Sequence, residues 1–327
     1  MARLIPTLAQ KLAHTLLVLA AFGLSAQMQV HAQVHPQVQT QMSPEPQVSS
    51  SASDATQTLV VSYKQTNYGD LRRETYEQKL IELALEKTQQ KVGAIELVPV
   101  NVISRTHTVA ALSQNLYPNF VTSLSYEDTL VASGNLIYIP IPIELGALSY
   151  RICYSHKSLI SKVRNIETLE QLKPYKVAVG ADWLDGKILQ HHGVQIVKGD
   201  NITGLFRMTQ AGRADLFCPN PAEYFHELEN AKVADLQLDN QLALYYPLPK
   251  FLFTHKSNQA LLDRIQLGME MAYQDGSYLQ LWKATHGKNL ARAKLNERHL
   301  IKLDNPFITS LPASYERYLF DPLQSAQ

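Results

Sequence analysis

Cysteine and tryptophan are scarce in this chain, with 2 of each in 327 residues, and charge of a single sign is missing. The 30 basic residues stand against 29 acidic ones, a net of +1. That balance leaves no electrostatic footprint for nucleic acid, and no long Lys/Arg run supplies one locally. With 45% apolar residues and so low a net charge, disorder along the whole chain is excluded. Long apolar runs are missing too. The one extended stretch sits at the extreme N-terminus and falls short of the about 20 residues a membrane helix needs. Catalytic signatures are also lacking: there is no G-x-S-x-G, no H-E-x-x-H, no phosphate loop and no visible nucleophile–base–orienter set. The 11 His are scattered, and the neighbours His191 and His192 would point about 100° apart on a helix, so neither metal nor cofactor is expected.

What is present begins with an export pattern. Arg3 and Lys11 precede an apolar run from Thr15 to Leu24, and small residues follow, with cleavage expected after Ala26 or Ala32. Charge, apolar stretch and small residues in that order mark residues 1–32 as a signal peptide. No Cys lies near the cleavage region to carry a lipid anchor. Residues 33–58 are rich in Gln, Ser, Pro and Val without a period that would bury a face. That composition reads as a flexible leader.

Cys153 and Cys218 each sit in an apolar, strand-like run, YRICY and ADLFC. In an oxidising compartment they could pair, but sequence does not show that their backbones approach. Free buried thiols are the favoured reading.

From residue 59 onward, strands and helices alternate. Leu59–Tyr63, Ile95–Val100, Asn119–Thr122, Tyr150–Tyr154, Tyr175–Gly180, Val194–Val197, Ala214–Cys218 and Ala243–Thr254 read as strands. Helical spacing covers Glu74–Gln90, Val109–Leu116, Ile166–Leu172, Lys187–His192, Ile202–Ala211, Pro221–Glu229, Gln259–Gln274 and Tyr278–His286. Pro140 and Pro142 prevent LIYIPIPI, residues 136–143, from being a regular central strand. Such alternation implies α/β layers with helices on both sheet faces and about two domains.

The order of segments resembles the extracytoplasmic solute-binding proteins of family 3, with the type II periplasmic-binding-protein fold. It is similar in particular to a proteobacterial substrate-binding-domain branch. The landmarks are YEQKLIELALEKT, IPIPIELGALSYR, LEQLKPYKVAVGADWLDGKIL, LFRMTQAGRADLF, YYPLPKFLF and NQALLDRIQLGMEMAYQDGSYLQLW, across residues 59 to about 320. The resemblance implies two α/β lobes of mixed sheets flanked by helices, joined by two crossing strands. Lobe 1 would comprise 59–152 and 251–327, and lobe 2 would comprise 153–250. It also implies an interlobe cleft, where loops at strand carboxyl ends meet helix N-termini.

The resemblance and the local chemistry together nominate ligand-binding residues. Tyr63 follows the first strand, as a cleft ring or as a rim residue packed on the next helix. Ser125, Tyr126 and Glu127 stand where amino-acid-binding relatives place hydroxyls and an arginine, and no arginine stands there. Arg151 could supply that charge or brace the hinge through a carboxylate such as Glu144, the favoured role. Asp182 is a ligand contact or a helix N-cap, and Trp183 offers a stacking face. Asn220 stands where relatives carry a carboxylate, with Glu223 and Tyr224 nearby.

The expected function is a periplasmic, monomeric, non-enzymatic protein that captures a small polar solute for a membrane transporter or sensor. Two alternatives stay open. One is an interaction or sensory module whose cleft has drifted. The other is a cell-wall lyase or dehydratase using Glu127 or Glu223 as its acid.

Overall fold

The computed structural model describes residues 58–65, 67–68, 71–72, 75–89, 94–222 and 233–323. The expected signal peptide and leader, most of the expected helix over 221–229, and Glu223 and Tyr224 lie outside the described residues.

Strand β1 (Leu59–Lys64) leads to a small pairing of β2 (Asn67–Tyr68) with β3 (Leu71–Arg72) and then to helix α1 (Tyr76–Lys87). Next come β4 (Ile95–Val100), α2 (Arg105–Ser113), β5 (Val121–Ser125), the short α3 (Asp128–Ala132) and β6 (Leu136–Tyr138). Helix α2 starts four residues earlier than the apolar spacing suggests. The Ser104 hydroxyl accepts from the His107 N–H at 3.1 Å and so satisfies an otherwise open helix donor. The strand over 136–143 stops at Tyr138, ahead of Pro140 and Pro142.

A second lobe follows: β7 (Tyr150–His156), α4 (Ile160–Val163), α5 (Leu169–Leu172), β8 (Lys176–Gly180), α6 (Leu184–His191), β9 (Gln195–Gly199), α7 (Ile202–Gln210), β10 (Leu216–Phe217) and β11 (Leu236–Tyr245). The chain then returns through β12 (Lys250–His255), α8 (Gln259–Gln274), α9 (Ser277–Ala293) and β13 (His299–Lys302).

Two mixed sheets result, ordered β4-β1-β5-β12-β6 and β13-β11-β7-β10-β8-β9. In the first, β1 runs parallel to β4 and β5, and β12 returns antiparallel between β5 and β6. In the second, β10 is parallel to β8 and antiparallel to β7. This is the two-lobed α/β fold of periplasmic binding proteins. The division of the chain differs from the expected one at two places. Strand β7 enters the second sheet from Tyr150, and β13 pairs parallel with β11 instead of staying with the first lobe.

In the first lobe, Leu80, Ile81, Ala84 and Leu85 of α1 bury against Leu261, Leu262, Ile265 and Met269 of α8. Each fully buried aliphatic side chain contributes about 2 kcal/mol. The helices approach so closely that a Cβ on Gly268 would stand 1.9 Å from the Ala84 carbonyl oxygen. The second lobe packs Val177, Val179, Ile188, Leu189, Leu242 and Leu244 around Cys153 and Cys218. Those cysteines form a disulfide, which overturns the expectation of free thiols. The antiparallel register sets Ser155 opposite Leu216 and Tyr154 opposite Phe217, so Cys153 falls opposite Cys218 with Cα atoms 4.0 Å apart.

The C-terminal segment ties the lobes together beyond the two expected crossings. Helix α9 buries Tyr278 and Trp282 in the first-lobe core, while Ala293 near its end packs with Tyr150, Ile152 and Ala243 of the second sheet. After β13 the chain turns back to the first lobe. There the Asp128 carboxylate accepts hydrogen bonds from the backbone N–H and hydroxyl of both Thr309 and Ser310, at 2.6–3.2 Å. Tyr315 then stacks edge-on against Phe251.

Candidate functional site

The carboxyl ends of β1, β5, β8, β9 and β10, with the turn after β4, meet at one place. Lys64 closes β1, Ser125 closes β5, and Ser104 and Arg105 follow β4. From the other lobe, residues 181–185 follow β8, Asp200 follows β9 and Asn220 follows β10. Together they enclose a cavity of about 610 Å³, a volume suited to a small ligand. Ligand sites in open α/β sheets lie at such strand carboxyl ends. The first turns of α2 and α6, with their outward N–H groups, also face the cavity.

Of the residues nominated from sequence, Ser125, Arg151, Asp182, Trp183 and Asn220 line this cavity. Trp183 packs against Gly180, where a Cβ would come within 2.4 Å of the indole. Its side chain, partly buried, also packs against the cluster that contains Ala178 and Phe206. Asp182 is exposed and accepts from the Thr106 hydroxyl of the opposite lobe at 3.4 Å. It is not the N-cap of α6; that position belongs to Trp183, which makes no side-chain cap bond.

Arg151 is 3% exposed, and its Nε and Nη2 grip Asp185 Oδ1 at 2.8 and 2.7 Å. Its Nη1 donates to the Leu148 and Tyr150 carbonyls, and its guanidinium lies 5.0 Å from the Tyr246 ring centroid. The Tyr246 hydroxyl donates to the same Asp185 oxygen at 2.7 Å. Burial raises the Tyr246 phenol well above its ordinary value, Arg151 opposes this, and Asp185 adds to it. Arg151 thus pairs with Asp185 and not with Glu144. Glu144 faces His286 at 3.2 Å and Lys250 at 3.8 Å.

Three nominated residues do not line the cavity. Tyr63 belongs to the first-lobe core. Side chains alternate along a strand, so its neighbour Lys64 turns into the cleft instead. Tyr126 is 1% exposed, set among Tyr138, Phe251 and Phe253. Glu127 spans the lobes beside the cavity: its Oε1 accepts from Lys187 Nζ at 2.6 Å, and Arg105 lies 3.6 Å from Oε2. Burial pushes the Glu127 carboxyl up, but the hydrogen bonds from Lys187 and Thr129 and the charges of Lys187 and Arg105 outweigh it. Its net shift is below the ordinary range.

Sequence reasoning missed Lys64, Arg105 and Lys250. Arg105 enters the cleft from the start of α2 and donates to the Ser125 carbonyl at 3.1 Å. Burial lowers its guanidinium, opposed first by Glu127. Lys64 is pushed down by burial, Glu77 opposes that shift and Lys250 adds to it. Glu77 is itself held by the Thr122 hydroxyl at 2.7 Å and by the backbone N–H and hydroxyl of Ser123. Asn220 is 2% exposed; its Oδ1 accepts from Ala222 N at 2.9 Å, and its Nδ2 has no partner among the described residues. Among the described residues no three His, Cys, Asp or Glu side chains gather as metal ligands would, and no helix is long and apolar enough to cross a membrane.

No protein-family model matches the sequence, and no curated protein matches it. Solved structures do match the fold. The GluR0 ligand-binding core in complex with L-glutamate is similar at a TM-score of 0.54 and 13% identity, over 71% of this chain and 100% of its own. A histidine kinase sensor domain with similarity to periplasmic binding proteins gives 0.53 and 14%, over 72% of this chain and 98% of its own. The VFT2 domain of Bordetella pertussis BvgS gives 0.53 and 13%, over 70% and 93%. At such identities the likeness is one of fold: the chain has the two-lobed architecture shared by these ligand-binding and sensor domains.

Proposed function

We propose that this protein binds a small polar solute between its lobes outside the cytoplasm and delivers it, or reports it, to a membrane transporter or sensor. The observation that carries the reading is the polar cavity of about 610 Å³, built from strand carboxyl ends of both lobes. The export pattern of residues 1–32 supports an extracytoplasmic site. GluR0, of the same fold, holds L-glutamate, and the histidine kinase relative is a sensor domain.

A binding role fits the chemistry of the cleft better than a catalytic one. A general acid at neutral pH needs a raised pKa, whereas Glu127 is held ionised by Lys187 and Arg105. Asp185 is committed to Arg151, and Glu77 to Thr122 and Ser123. The alternative of an interaction or sensory module draws on one feature: the Lys187–Glu127 pair bridges the two lobes directly beside the cavity.

The test is ligand-dependent thermal stabilisation of the chain from residue 33, screened against amino acids, small acids, polyamines and sugars. Binding to the native state must raise the midpoint. A flat response across the panel, with Arg105→Ala indistinguishable from the parent, would overturn the solute-binding reading in favour of the interaction module.

A further inference from the structure

The two segments that cross between the lobes differ in freedom. The second crossing, residues 246–249 between β11 and β12, contains Pro247 and Pro249, whose rings fix φ near about −65°. It is also tied down: the Asn305 amide donates to the Pro247 carbonyl at 2.8 Å, and the Leu248 N–H donates to the Ser149 hydroxyl at 3.1 Å. The first crossing, residues 139–149 between β6 and β7, is pinned to the first lobe as far as Glu144. There Tyr278, Tyr76 and Trp282 donate to the carbonyls of Pro142, Ile143 and Glu144 at 3.1, 2.7 and 3.1 Å. Beyond that point stand Leu145 and Gly146, both in the left-handed region at φ 46° and 89°. Leu145 and Ala147 pack in the first-lobe core, whereas Leu148 packs in the second. A rotation between lobes is absorbed by a few residues that change φ and ψ, and glycine does so most cheaply. Leucine in the left-handed region is costly and persists only where neighbours hold it.

What holds it comes from the far end of the described chain, after the 3₁₀ turn Ala313–Tyr318. The Phe320 N–H donates to the Leu145 carbonyl at 2.8 Å. The Leu319 side chain covers Gly146, 3.1 Å from where a Cβ would stand. The Phe320 ring lies against Trp282 in the first-lobe core, with centroids 4.9 Å apart. Leu323 instead packs with Tyr150, Ile152 and Ala243 of the second sheet. Residues 319–323 therefore touch both lobes and fix the peptide that joins Leu145 to Gly146.

We propose that Leu319–Leu323 is a hinge latch. While the Phe320 N–H holds the Leu145 carbonyl and Leu319 covers Gly146, the peptide between those two residues cannot turn and the lobes keep their spacing. Release of the segment frees the first crossing to rotate, and the lobes part. The latch acts on lobe spacing whether or not a solute enters the cleft, so it stands apart from the solute-binding reading.

The experiment uses the unliganded chain from residue 33 and two variants, read by amide hydrogen exchange and small-angle scattering. Phe320→Ala removes the ring and keeps the N–H. Phe320→Pro removes both, and the extended backbone of Leu319 (φ −71°, ψ 134°) admits a proline after it. The reporters are the Ala147 and Ser149 amides, which donate within the crossing to the carbonyls of Glu144 and Gly146, each at 3.0 Å. Phe320→Pro should speed their exchange about five- to tenfold over the parent, the scale of one hydrogen bond. Phe320→Ala should speed it less. Exchange in α1 and α8 should keep the parent's rate in both variants, and the radius of gyration should rise in Phe320→Pro. Unchanged exchange at Ala147 and Ser149 in Phe320→Pro would overturn the latch. Equal effects of the two variants would place the restraint in the ring on Trp282 and overturn the role of the N–H. Exchange rising equally in α1 and α8 would mark a loss of global stability and overturn the hinge assignment. Faster exchange at the crossing with an unchanged radius of gyration would overturn its control of lobe spacing.

Discussion

Lys187 of the second lobe donates to Glu127 of the first across 2.6 Å, closing the rim of the cleft from outside the ligand cavity. Lys187 is more than half exposed, so the pair is worth at most about 1 kcal/mol, which still shifts a lobe equilibrium about fivefold. Glu127→Gln is expected to enlarge the radius of gyration of the unliganded protein in small-angle scattering. It should do so with little change in melting midpoint. An unchanged scattering profile at low and high salt would mean that the pair does not hold the lobes.

Acid should act on the same contact. The Glu127 carboxyl is depressed below its ordinary value of 4.5, so its stabilising contribution is complete above that value and is lost as pH falls through the lower folded value. Scattering from the parent should therefore expand below about pH 4.5, toward the dimensions of Glu127→Gln at neutral pH. Expansion on raising the pH would contradict this sign.

Asp128 is the anchor of the C-terminal strap. Burial raises its carboxyl, and the hydrogen bonds from Ser310 and Thr309 more than reverse that. Asp128→Ala leaves those exposed donors to water, so the global cost should be no more than about 1 kcal/mol. Limited proteolysis is expected to cut first between residues 303 and 323 in the variant and not in the parent. Equal cutting patterns would show that Tyr315 and its ring contacts suffice.

Gly268 tests the first-lobe core. An added methyl meets the Ala84 backbone at 1.9 Å, and backbone cannot swing aside as a side chain can. Gly268→Ala should lose about 1–3 kcal/mol despite the better helix propensity of alanine. A rise in melting midpoint would show that α1 and α8 separate freely.

The Cys153–Cys218 bridge spans 65 residues of sequence, which in the chain-entropy account stabilises the fold by about 4 kcal/mol. Both cysteines are buried, so native protein should resist dithiothreitol. The double variant Cys153→Ala/Cys218→Ala should unfold at clearly lower denaturant, with a steeper slope because the uncrosslinked denatured chain exposes more surface. Rapid labelling of native protein by thiol reagents after mild reduction would contradict the burial.

Much of the scaffold was legible because period and punctuation agree. The run Lys176–Gly180 followed by Asp185-Gly186 announces β8 and α6, and Pro140 and Pro142 announce where β6 must stop. Within the candidate site, Trp183, Asp182 and Asn220, singled out from sequence as lying shortly after strand-like runs, line the cavity. What was hidden depends on neighbours distant in sequence. The choice between Tyr63 and Lys64 is set by which face of β1 meets α1, and composition does not disclose it. The disulfide follows from the register of β7 against β10. Arg105 belongs to a helix whose first turn is polar, so apolar spacing places the start too late. Strand β13 is four residues long with only Leu300 and Ile301 apolar, too weak a signal to show that it crosses to the other lobe.

That late strand bears on how the molecule is made. The first sheet needs Lys250–His255 between β5 and β6, and the second gains its outer member only at His299–Lys302. The first sheet has all its strands once His255 is made, whereas the second cannot finish until His299–Lys302 emerges, since sequence-distant pairing must wait for its partner. The outer edge of the second sheet therefore closes only after almost all of the described residues have been made.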